Sequence, residues 1–115
     1  ENFYADSGIL TLLIFLKILS EKNVKTSELV ENYEFYPSSG EINYVVEDVE
    51  ISLKKIENSF EGQFDKLDGI SYFADDFWFN LRGSNTEPML RLNAEAVNQK
   101  TLDSIIDKIS NIISL

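Results

Sequence analysis

The chain has 115 residues, 43% hydrophobic and 26% charged, the composition of one globular domain or of one domain plus a fragment. Its net charge of −10 argues against sequence-independent nucleic-acid binding, which draws on Lys and Arg meeting phosphates, and against docking on an anionic membrane. Cysteine and histidine are absent, which excludes disulfides, Cys/His zinc sites and histidine-assisted nucleophiles within this chain and favours a cytoplasmic location.

Asp6 and Ser7 are good helix N-caps, and Ile9, Leu10, Leu12, Leu13, Ile14, Phe15, Leu16, Ile18 and Leu19 follow, apolar nearly all round a helix. The uncharged run Ser7 to Leu16 is far short of the ~20 apolar residues of a bilayer span. A buried helix is therefore expected, one that must be covered on most sides. A second, short helix should run from Thr26, as cap, through Leu29, Val30 and Tyr33. Glu34-Phe-Tyr-Pro-Ser-Ser-Gly40 is turn-rich and is the expected domain boundary. The expected division is a helical unit at 1–36, a linker at 37–40 and a second domain at 41–115. Because the chain opens on Glu1 and reaches structure by Ser7, it is expected to be a piece of a longer protein.

After Gly40 the period changes. Glu41 to Glu47 reads as a strand with Ile42, Tyr44 and Val46 on one face. Val49, Leu53, Ile56 and Phe60 recur at helical spacing, with Gly62 as the expected stop. Ile70, Tyr72 and Ala74 alternate in a second strand, Asp75-Asp76 makes a hairpin turn, and Phe77, Phe79 and Leu81 share a face of a third. Leu90, Leu92, Ala94 and Ala96 mark a fourth strand. Leu102, Ile105, Ile106, Ile109, Ile112 and Ile113 form the stripe of a last helix. The order β-α-β-β-β-α predicts an α+β fold, a four-stranded antiparallel sheet with two helices on one face.

Functional signal concentrates between the third and fourth strands. Arg82, Gly83, Ser84, Asn85 and Thr86 offer a planar guanidinium fork, two hydroxyls, a carboxamide and a glycine that lets backbone N–H groups approach closely. A hairpin needs none of these, but an oxyanion such as phosphate uses all of them. The window from Phe77 to Ala94 carries net +1 within a chain of net −10, and it holds both arginines. An acidic protein that binds a dianion needs such an island. The plainer reading pairs Arg82 with Glu87 and leaves a polar turn. Arg91, mid-strand, reads as surface, and Asp75-Asp76 reads as a turn, not as a metal site. Glu47, Asp48 and Glu50 read as the acidic first turn of a helix. Tyr72, Phe77, Trp78 and Phe79 read as core and sheet surface.

Phe79-Asn-Leu-Arg-Gly-Ser-Asn-Thr-Glu-Pro-Met-Leu-Arg-Leu-Asn-Ala-Glu-Ala96 closely resembles the C-terminal phosphate-binding signature of bacterial phosphomannomutases, in the α-D-phosphohexomutase superfamily. Tyr4-Ala-Asp-Ser-Gly-Ile-Leu10 resembles the start of a helix late in that family's third domain. Ser39-Gly-Glu-Ile-Asn43 resembles the start of its fourth, and Leu67-Asp-Gly-Ile70 the fourth domain's second strand.

The resemblance implies a four-domain enzyme that moves a phosphoryl group between O6 and O1 of a hexose, using Mg²⁺ and a hexose 1,6-bisphosphate. It implies that Arg82, Ser84, Asn85 and Thr86, with the Gly83 backbone, hold the phosphate that is not being transferred. Asn85 resembles the phosphomannomutase/phosphoglucomutase form of the motif, which favours mannose or glucose phosphates. The first two helices are then the remnant of a truncated α/β domain.

The family's phosphoserine, Asp-rich metal loop and Gly-Glu-x-Ser-Gly sugar loop do not occur here, and the chain is expected to begin just after the last of these. The fragment is therefore expected to be inactive alone, to hold no metal or cofactor, and to have as partners a hexose phosphate and the remaining domains of the enzyme. Two other readings are a regulatory module that binds a phosphometabolite and a protein-interaction domain without a ligand.

Overall fold

Ser7 opens the first helix, α1 (Gly8–Lys22), by accepting a hydrogen bond from the Leu10 N–H at 3.2 Å. Asn23 closes it in the left-handed conformation, φ 50°, with its N–H on the Leu19 carbonyl at 2.9 Å. The second helix, α2 (Thr26–Glu31), begins one residue earlier than its sequence suggests: Thr26 is already helical, and the Lys25 carbonyl accepts from the Leu29 N–H. The structure, a computed structural model, describes residues 6–31, 33 and 36–114. Tyr4 and Ala5 of the first family-like segment, and Glu34 and Phe35 of the turn-rich joint, lie outside the described residues. The chain divides into two units, Glu1–Phe35 and Tyr36–Leu115. No residue of α1 is buried, and Ile9, Leu12, Leu13 and Ile14 are each more than half exposed.

In the second unit the elements are β1 (Ile42–Val45), α3 (Val49–Ser59), β2 (Phe64–Asp65), β3 (Ile70–Phe73), β4 (Phe77–Gly83), β5 (Met89–Ala96) and α4 (Gln99–Ser114). The class is α+β as expected, but the sheet has five strands, not four, all antiparallel, in the order β1-β5-β4-β3-β2. The additional strand is β2. Phe64 sits opposite Tyr72 with its ring 5.2 Å from the Tyr72 ring, so its half-buried packing against the core pulls a two-residue edge into register.

Alternation decides the two faces of the sheet. Phe79, Leu81, Leu90, Leu92, Ala94 and Ala96 are buried under α3 and α4, together with Ile56, Leu102 and Ile109. The Tyr44 hydroxyl and the Ser110 hydroxyl, 2.8 Å apart, tie β1 to α4. Asp48 caps α3 by accepting from the Ile51 N–H at 2.9 Å. That helix stops at Ser59, before Gly62, because Phe60 turns to an extended backbone and drops its ring 5.1 Å from Phe79.

The other face of the sheet carries Trp78, Asn80 and Arg82 from β4 and Arg91, Asn93 and Glu95 from β5, with no helix of this unit over it. Residues 37–39 continue the β1 edge along β5. Ser39 N–H donates to the Ala94 carbonyl at 2.9 Å, the Ala94 N–H to the Ser39 hydroxyl at 2.9 Å, and the Ala96 N–H to the Pro37 carbonyl at 3.2 Å. Gly40, at φ 59°, makes the step from this segment into β1.

Candidate functional site

Arg82 is the last residue but one of β4, and β5 places Arg91 directly opposite it. The five-residue connection between these strands thus brings the chain's two arginines together on the uncovered face. Like charges facing each other across a ladder destabilise it unless something compensates. The compensation comes from two neighbouring strands. Glu41, just before β1, reaches Arg82 Nη2 with Oε2 at 3.7 Å and Arg91 Nη1 with Oε1 at 3.8 Å. Asp68, in the turn before β3, reaches Arg82 Nη1 at 3.9 Å. A row of Glu41, Arg91, Arg82 and Asp68 therefore crosses the sheet. Glu87, the acid nearest to Arg82 along the chain, is not its partner.

These ion pairs are longer than hydrogen bonds. Among the described residues no side-chain hydrogen bond satisfies either guanidinium, and Arg91 Nε is buried without a partner. Both side chains remain about a third exposed, at 38% and 32%. The two guanidinium groups are thus neutralised in part and keep donors to offer.

The loop beyond Arg82 is tied at its base and free at its tip. The Ser84 N–H donates to the Met89 carbonyl at 2.9 Å, and the Val46 N–H to the Pro88 carbonyl at 3.1 Å. The Ser84 and Thr86 hydroxyls lie 3.4 Å apart. Asn85, Thr86 and Glu87 are exposed, and the Asn85 carboxamide has no partner among the described residues.

Gly83 stands in extended backbone at the end of β4, opposite Leu90. A Cβ there would lie 2.8 Å from Val49 Cγ1, so the missing side chain lets the base of the loop pack against the first residue of α3. Arg82, Gly83, Ser84, Asn85 and Thr86 are therefore contiguous on one rim of the sheet. Arg91, read from the sequence as plain surface, joins them through the β4–β5 register.

The remaining sequence readings fall away from this rim. Asp75 and Asp76 form the β3–β4 turn at the other end of β4, where Ala74 N–H bonds the Phe77 carbonyl at 2.9 Å. Beside that turn Tyr36, Phe73, Trp78, Glu95 and Val97 line a cleft of about 240 Å³, and Trp78 Nε1 donates to Glu95 at 3.1 Å. Phe79 is core, and Tyr72 and Phe77 pack against it. Among the described residues no group of three or more acidic side chains is placed to hold a metal ion. No helix of the described residues is long and apolar enough to cross a membrane.

The site is an arginine–hydroxyl loop at one rim of an α+β domain, and the domain's family is settled by comparison. Residues 41–112 match the phosphoglucomutase/phosphomannomutase C-terminal domain. The chain belongs to that family. It is 45% identical over 115 residues to a phosphomannomutase of Methanocaldococcus jannaschii, a match covering 99% of this chain and 26% of that protein. It is 35% identical over 119 residues to a phosphomannomutase of Vibrio cholerae, covering 97% and 25%. A phosphomannomutase of Escherichia coli is 37% identical over 97 residues, covering 81% and 21%. The chain thus spans about a quarter of the length of these relatives.

Proposed function

We propose that this chain is the substrate-phosphate anchor of a phosphomannomutase that interconverts mannose 6-phosphate and mannose 1-phosphate, with glucose phosphates as the second substrate class. The observation that carries the reading is the in-register pair Arg82 and Arg91 beside the Ser84–Thr86 tip. Two cations meet there in a chain of net −10, only partly neutralised by Glu41 and Asp68, with guanidinium donors left unbonded. Arg82 supplies the fork that grips two phosphate oxygens, the Ser84 and Thr86 hydroxyls and the Asn85 carboxamide donate to the rest, and Gly83 sets the loop on its base. Holding one end of a sugar phosphate orients the other end for transfer.

The family match supports the hexose phosphate class and, as partner, the rest of a longer enzyme; the location proposed for it is the cytoplasm. Mg²⁺ and a hexose 1,6-bisphosphate belong to that larger protein. The 115 residues alone are expected to turn over no hexose phosphate.

Titration with inorganic phosphate, followed by amide shifts of residues 83–87, tests the anchor. A charge-assisted hydrogen bond contributes ~1.5–3 kcal/mol, so Arg82→Ala should weaken binding at least about tenfold. Lys100→Ala, at the opposite end of the sheet beside the Asp76 turn, removes an equal charge and should leave binding within about twofold. Equal losses in both variants would mean that bulk charge, and no site, attracts the phosphate.

A further inference from the structure

We infer that Glu41 is the built-in counterion of the Arg82–Arg91 pair and that it competes with the substrate phosphate for both guanidinium groups. The inference rests on the anchoring reading above and deepens it. Three observations carry it. Among the described residues Glu41 is the acid that pairs with both arginines, one carboxylate oxygen to each, at 3.7 and 3.8 Å. Its contacts stop short of hydrogen bonds, so it lowers the field at the arginines without consuming their donors. Its backbone is fixed, since Ile42 enters the β1–β5 ladder opposite Leu92 and residues 37–39 are bonded to β5.

Without a ligand, two guanidinium groups facing across a ladder need a negative charge between them. When a dianionic phosphate arrives, it supplies that charge in excess. The Glu41 carboxylate, on the same face, then repels the ligand that replaces it. Glu41 thereby makes the empty site stable and the filled site releasable. Asp68 acts in the same sense more weakly, because it reaches Arg82 alone, at 3.9 Å, and is 75% exposed. Glu41 touches no reacting atom: it acts by its charge, on the arginines when the site is empty and against the ligand when it is filled.

The test is a phosphate titration of the 115-residue chain and its Glu41→Gln, Asp68→Asn and Arg82→Ala variants, with melting temperatures recorded with and without phosphate. Glu41→Gln keeps the shape and removes the charge. It should bind inorganic phosphate about three- to tenfold more tightly at low salt, with the gain shrinking as salt rises. It should also melt lower than wild type without phosphate and gain more in melting temperature when phosphate is added. A merely structural role would lower stability and leave affinity unimproved. Asp68→Asn should tighten binding by less than Glu41→Gln. Should Glu41→Gln not fold, Glu41→Asp, one methylene too short to reach both arginines, should still tighten binding.

If Arg82→Ala weakens binding while the Glu41 variant binds as wild type or worse, the counterion inference is wrong and the anchor stands. If Arg82→Ala binds phosphate as wild type does, or no variant responds to phosphate, the anchor is wrong and the inference falls with it.

Discussion

Gly69 lies against the backbone of Arg82 so closely that a Cβ on Gly69 would be 2.7 Å from the Arg82 Cα and 2.4 Å from the Leu81 carbonyl oxygen. Its φ is +70°, a conformation that L side chains rarely adopt. Position 69 thus requires glycine twice over, and the turn it permits delivers Asp68 to Arg82. Gly69→Ala is expected to destabilise the domain by about 2–4 kcal/mol, the sum of left-handed strain and a backbone clash that no rotamer relieves. Urea unfolding measures it. A loss under about 1 kcal/mol would show that the turn relaxes more cheaply than this geometry allows.

Gly83 meets a flexible obstacle. Its Cβ would encounter the tip of Val49, a side chain that can be shortened. Gly83→Ala should cost about 1–3 kcal/mol as overpacking, and Val49→Ala in the same chain should recover part of that cost. Strict additivity in the double-mutant cycle would exclude the contact as the cause.

The loop hydroxyls should matter less than the guanidinium. Ser84→Ala and Thr86→Ala should each weaken phosphate binding by about two- to fivefold, since neutral donors are roughly half as strong as charged ones. Either substitution matching the loss of Arg82→Ala would move the centre of the site from the arginine to the turn.

The two long helices should differ in protection. In α4, Leu102, Ile105 and Ile109 are buried, whereas α1 buries none of its fifteen residues. Amide exchange in the 115-residue chain should be faster by orders of magnitude in α1 than around Ile109, because local opening there breaks few buried contacts. Equal protection in a monomer would contradict this.

Much of the second unit is legible from alternation alone. Leu90, Leu92, Ala94 and Ala96 are buried as their period predicts, and the α4 stripe faces the sheet. Period cannot reveal β2, because two residues contain no repeat. Nor does it show that Phe60 leaves α3 early, since what pulls it is Phe79, from a strand far along the chain. The loop residues are readable because their chemistry is local and unusual.

The partners of Arg82 are not readable in this way. The nearest acid in sequence is Glu87, while the acids that reach it come from residues 41 and 68, brought over by strand order. Arg91 was hidden for the same reason, since only the β4–β5 register shows which residue it faces. Of the family-like segments, Ser39–Asn43 carries Glu41 to both arginines and Leu67–Ile70 carries Asp68 to Arg82.

The bonds from residues 37–39 to β5 bear on where this protein can be cut. The family domain match begins at residue 41, yet the N–H groups of Ala94 and Ala96 are occupied by Ser39 and Pro37. A polypeptide starting at Glu41 would leave that length of β5 as bare edge, with apolar Ala94 and Ala96 flanked by unpaired amides. Bare edges recruit strands from neighbouring molecules. Such a shortened domain should self-associate through β5, whereas one that starts at Tyr36 brings its own blocking strand.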